Sequence, residues 1–177
     1  MTTGKLIILL GDSLTAGGAW GRALPQARLK NLGLNGDTAA GVWGRLDEAV
    51  ALKPDQIFLQ IGINDFLRGA WPDEIGDIHL RIWDEIRERL PETKLRVVSM
   101  LPFVEASFPG IPPTLELIIL NQRLAEEAEK RGLVFIDLFG DLADENHQLR
   151  LDYTSDGLHL TPAAYRVWEN RLRPFID

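Results

Sequence analysis

Cysteine is absent from the 177 residues, which excludes a disulfide framework, a thiolate nucleophile and any thiolate metal site. Histidine is scarce. His79, His147 and His159 stand too far apart for the paired spacing of a zinc helix, so no metal and no cofactor is expected. Positive charge is also in deficit: 19 Lys and Arg against 26 Asp and Glu give a formal net charge of -7. Without a basic patch to offset phosphate repulsion, nucleic acid and anionic membranes are excluded as partners. Long hydrophobic runs are missing. The stretch Leu6 to Leu10 is too short for a signal-peptide core or a membrane span, so stable membrane insertion is not expected, and a chain starting at Met1 is expected to be cytoplasmic. What remains, 45% hydrophobic and 25% charged, is an ordinary globular composition of a length that fits one domain over residues 1–177.

The organising stretch is KLIILLGDSLT, Lys5 to Thr15. Its apolar run, broken at Gly11, reads as a buried strand ending in a sharp turn, with Ser13 presented where the strand gives way to a helix. Ala27 to Leu32 suits an edge strand, and after the turn residues NLGLNGDT a helix capped by Asp37 or Thr38 places Val42, Leu46 and Val50 on one face. Gln56 to Ile61 reads as an interior strand of a sheet covered on both faces. Ile75, Ile78, Ile82, Ile86 and Leu90 recur at helical spacing over Asp73 to Leu90. Leu95 to Met100 and Leu133 to Ile136 are the fourth and fifth strands, separated by an ordered proline-rich loop, Pro102 to Pro113, and a helix that Thr114 can cap. Thr161 and Pro162 open a last helix carrying Tyr165, Trp168 and Leu172 on one face.

This alternation implies a five-stranded parallel sheet with helices on both faces, in which ligands bind beyond the carboxyl ends of the strands. Ser13 follows the first strand, Gly36 the second and Asn64 the third, so three polar points converge on one rim. Ester hydrolysis needs a nucleophile, a base and donors for an oxyanion. Ser13 supplies the hydroxyl. Asp156 and His159, three apart, can bring a carboxylate and an imidazole to the same side. The N–H groups of Ser13 and Gly36 and the amide of Asn64 are the candidate oxyanion donors. Trp71, Phe103 and Phe108 come from loops flanking the rim and are candidate substrate contacts. His79 and His147 are expected at the surface. The elbow GxSxG, the phosphate loop GxxxxGK[ST] and the dinucleotide GxGxxG are all missing.

Four blocks stand in order: GDSL at Gly11 to Leu14, NxGxxGDT at Asn31 to Thr38, GxND at Gly62 to Asp65 and DxxH at Asp156 to His159. In these the chain resembles the SGNH hydrolase superfamily, the GDSL esterases and lipases. The resemblance implies an α/β, three-layer α/β/α flavodoxin-like fold and metal-free hydrolysis of ester bonds. It also implies a Ser13, Asp156 and His159 triad, with Ser13, Gly36 and Asn64 as oxyanion hole. The expected substrate is a small-molecule, short-chain acyl ester cleaved through an acyl-enzyme. The alternatives are a lysophospholipase, thioesterase or acyltransferase using the same triad, or a non-catalytic ligand-binding module. Oligomeric state is not encoded in these motifs.

Overall fold

Five segments pair side by side into one all-parallel sheet: β1 (Leu6–Gly11), β2 (Arg28–Gly33), β3 (Gln56–Gln60), β4 (Lys94–Val98) and β5 (Val134–Ile136). Their order is β2-β1-β3-β4-β5. The computed structural model in which this is seen describes residues 4–25 and 27–176. Ile7 to Leu10 are all buried, as are all five residues of β3, because both faces of these central strands are covered. β2 sits at one edge, with much of its length open to solvent.

Between the strands lie α1 (Ser13–Ala16), α2 (Trp20–Ala23), α3 (Ala39–Gly44), α4 (Leu46–Ala51), α5 (Ile63–Leu67), α6 (Pro72–Arg89) and α7 (Thr114–Lys130), and after β5 come α8 (Phe139–Leu142) and α9 (Pro162–Leu172). α6 packs against α3, α4 and α7, whereas α9 packs against α2 and α8, giving the two helical layers that enclose the sheet. Burial of this kind stabilises by roughly 1.5–3 kcal/mol for each large aliphatic side chain.

Two elements differ from expectation. The helix anticipated through Val42, Leu46 and Val50 is broken into α3 and α4 at Arg45, whose backbone leaves helical geometry (φ -113, ψ 17) while its guanidinium turns inward. Pro113 rather than Thr114 occupies the N-cap of α7, since a proline there needs no donor. Other boundaries move by one or two residues.

β1 ends in a close approach that admits glycine alone. A Cβ at Gly11 would lie 2.1 Å from the Gln60 carbonyl oxygen and 2.3 Å from Thr15 Oγ1. The chain then turns through Asp12 directly into α1, placing Ser13 at the carboxyl edge of the sheet.

Candidate active site

Asp12 makes the turn by accepting the Leu14 N–H on Oδ1 at 2.9 Å, capping α1 so that Ser13 occupies its first position. His159 Nε2 lies 3.2 Å from Ser13 Oγ. On the other side of the ring, His159 Nδ1 is 2.7 Å from Asp156 Oδ2. Because an ionised carboxylate only accepts, the ring proton sits on Nδ1 and Nε2 presents its lone pair to the hydroxyl.

Asp156 and His159 lie in a turn rather than on a helix. The turn is closed by the N–H groups of Leu158 and His159 donating to Asp156 Oδ1 at 2.9 and 2.8 Å. Burial acts to raise the Asp156 pKa. The hydrogen bonds from the His159 ring and from these two N–H groups outweigh it and hold the carboxyl well below its ordinary value. It therefore stays an acceptor wherever the imidazole has to be oriented.

The donor side is built from two neighbouring loops. Gly36 takes φ +74, open to glycine without strain, and its carbonyl accepts from Arg68 Nη2 at 3.0 Å. Asn64, in the first turn of α5, donates from Nδ2 to the Asp37 carbonyl at 2.8 Å. A carbonyl cannot donate, so the amide nitrogen must face it, and the second N–H of that nitrogen remains. Ser13, Gly36, Asn64 and His159 all line one cleft of about 670 Å³, with Ala16, Gly17, Asn35, Leu158, Leu160 and Tyr165. Ser13, Gly36, Asn64, Asp156 and His159, from four separate parts of the chain, thus meet at one rim.

A family model spans residues 9–167, which contain all of these side chains, and it describes the GDSL-like lipase/acylhydrolase family. This chain belongs to that family. Its fold matches that of a Streptococcus pneumonia protein carrying a platelet-activating-factor designation, with TM-score 0.87 and 25% identity over 98% of this chain and 84% of that one. The lipase/acylhydrolase of Enterococcus faecalis is similar at TM-score 0.83 and 22% identity, covering 97% and 95%. A curated relative is the N-acylneuraminate cytidylyltransferase of Streptococcus agalactiae strain NEM316, 23% identical over 170 residues that make up 96% of this chain and 38% of the relative. The chain therefore spans less than two fifths of the curated relatives it matches.

Four residues, Phe103, Phe108, Trp71 and His79, depart from the sequence expectation. Phe103 is fully buried, its ring wedged between Phe66 and Phe108, so it presents nothing to a ligand. Phe108 is half-buried against that ring and Trp71 is 68% exposed ahead of α6, and neither lines the cleft around Ser13. His79 is buried, not superficial: Nε2 donates to the Ile61 carbonyl at 3.1 Å, and burial pushes its pKa down to about 4. His147 is exposed as expected.

Other residues at the rim were not foreseen. Tyr165 donates its hydroxyl to the Leu14 carbonyl at 2.8 Å, bracing the turn that carries Ser13. Asn31 donates to the Thr15 and Ala16 carbonyls at 3.2 and 3.1 Å, satisfying the end of α1. The place of Asn31 in the NxGxxGDT block was the available signal for it. Behind the cleft, burial pushes Asp12 up to about 7 against the Leu14 hydrogen bond, with the Asp37 and Asp65 carboxylates adding to the rise. No helix of the described residues is long and apolar enough to cross a membrane.

Proposed function

We propose that the protein is a serine carboxylic-ester hydrolase for short acyl esters, with Ser13 as nucleophile, His159 as general base and Asp156 as its orienting carboxylate. The continuous relay from Ser13 Oγ through the His159 ring to Asp156, at 3.2 and 2.7 Å, is the observation that carries this reading. Ser13 Oγ attacks the ester carbonyl carbon as its proton passes to His159 Nε2. The oxyanion is received by the N–H groups of Ser13 and Gly36 and by Asn64 Nδ2. Collapse expels the alcohol, which takes the proton back from His159 and leaves an acyl-Ser13. Water, deprotonated by the same nitrogen, then releases the acid and restores the hydroxyl.

Preference for short acyl groups is supported by the lining of the cleft, where the larger apolar surface is limited to Leu158, Leu160 and the Tyr165 ring. A long chain would leave most of its methylenes in water, forgoing about 0.8 kcal/mol for each. The geometry favours acyl chemistry over the nucleotidyl transfer named for the longer curated relatives. Ser13→Ala should abolish turnover of p-nitrophenyl acetate and butyrate while leaving the circular dichroism spectrum intact. Turnover that persists in this variant would remove Ser13 from the reaction, and a rate that climbs steadily from acetate to octanoate would overturn the short-chain assignment.

A further inference from the structure

The break between α3 and α4 is where one side chain ties the end of β1 to the loop that carries Gly36. Arg45 is largely buried, with 15% of its side chain exposed. Its Nε donates to Asp37 Oδ2 at 2.7 Å, while Nη2 donates to the carbonyls of Gly11 at 3.0 Å and Leu32 at 2.9 Å. Gly11 is the last residue of β1 and precedes the Asp12–Ser13 turn. Leu32 lies near the end of β2, just ahead of the loop that carries Gly36. Asp37 follows Gly36 and, through its own carbonyl, holds the Asn64 amide at 2.8 Å. A second tie runs parallel to this one, from the Ala39 N–H to Asp65 Oδ2 at 2.9 Å.

The same guanidinium answers a local electrostatic problem. Asp12, Asp37 and Asp65 are three buried carboxyl groups near enough that each of the other two raises the pKa of Asp12. Among the described residues, Arg45 is the cation that forms an ion pair with one of them. Without it, Asp37 would be left as a buried charge beside two other acids, and the carbonyls of Gly11 and Leu32 would lose a donor. The loop that carries Gly36 would be driven away from the turn that carries Ser13.

We infer that Arg45 is a positioning residue for the oxyanion donors: it clamps the Gly36–Asp37 loop to the end of β1 and thereby fixes Gly36 and Asn64 relative to Ser13. This rests on the ester-hydrolase reading above. Arg45 touches no reacting atom. Its contribution is realised only when charge develops on the substrate oxygen, so its loss falls on kcat and leaves KM nearly unchanged. A guanidinium is required because its planar fork serves a carboxylate and two carbonyls at once, which a lysine ammonium on a flexible stem does not reproduce.

The experiment compares wild type, Arg45→Lys, Arg45→Met/Asp37→Asn, Asn64→Ala and Arg45→Lys/Asn64→Ala with p-nitrophenyl acetate, each checked for folding by circular dichroism. Replacing Asp37 together with Arg45 avoids an uncompensated buried charge, so this variant keeps the proposal testable if single changes at Arg45 do not fold. Asn64→Ala should lose about 10²–10³ in kcat. Arg45→Lys and Arg45→Met/Asp37→Asn should each lose at least about tenfold in kcat with KM within about twofold. Arg45→Lys/Asn64→Ala should lose clearly less than the product of the two single losses, because Asn64, one of the two donors that Arg45 positions, is already removed. An undiminished kcat in folded Arg45 variants, or losses that multiply in the double variant, would overturn the proposal while the esterase reading stands. A wild type without ester turnover would remove both.

Discussion

His79 and Asp12 are both buried and both carry pKa values displaced by that burial, but in opposite directions, and the consequence for stability is opposite as well. His79 takes up a proton near pH 4 in the folded protein against an ordinary 6.5. Between those values the unfolded chain binds a proton that the folded chain refuses. The stability associated with neutral His79, complete above pH 6.5, is therefore lost on acidification toward pH 4, by at most about 1.4 kcal/mol per pH unit. Asp12 holds its proton up to about 7 when folded and releases it near 3.8 when unfolded. Its stabilisation is complete below 3.8 and is lost as pH rises toward 7. Over the shared window the two nearly cancel. Urea unfolding at several pH values should show wild type losing ground to His79→Asn as the pH is lowered and to Asp12→Asn as it is raised. Parallel profiles for all three proteins would contradict these burial effects.

At the scale of elements, the loop at 102–113 packs behind the turn of Asp156 and His159 and does not line the cleft. The Val104 N–H donates to the Gly157 carbonyl at 2.8 Å, and the Leu149 N–H to the Phe103 carbonyl at 3.2 Å. The loop thus braces the turn that presents Asp156 and His159. Gly157 sits at φ +90, and a Cβ there would meet Ser107 Oγ at 2.4 Å and Ser107 Cβ at 2.8 Å. Gly157→Ala combines left-handed strain of roughly 1–2 kcal/mol with that clash. Its Tm should fall by about 3–8 °C. Because the turn must shift to relieve the contact, kcat should drop at least about tenfold at a temperature where the variant is still folded. Wild-type values for both would show that the turn is not held from this side.

For the whole molecule, the sheet and its rim were legible because they follow from periodicity. β1 and β3 are short apolar runs, α6 repeats isoleucine at helical spacing, and Ser13, Gly36 and Asn64 each fall just past a strand. The interior of α6 also carried a legible sign for His79, which lies four residues after Ile75 and three before Ile82, on the buried stripe. Arg45 had no such sign. Its partners Gly11, Leu32 and Asp37 fall inside two of the sequence blocks, but nothing in those blocks points to Arg45, and the break it makes in the helix contradicts the apolar pattern of Val42 and Leu46. Phe103 was misplaced for the same reason: a loop position says nothing about which way a ring turns, and here Phe66 and Phe108 enclose it.

The proposed function rests on one hydroxyl, that of Ser13, meeting an imidazole and a carboxylate from a segment far away along the chain. The most direct measurement is incubation of the intact protein with a fluorophosphonate, followed by mass spectrometry of its peptides. One equivalent should attach, on Ser13 and not on Ser99, Ser107 or Ser155, and His159→Ala should suppress the attachment. A protein that stays unmodified, or is modified elsewhere, would contradict the assignment of Ser13 as an activated nucleophile.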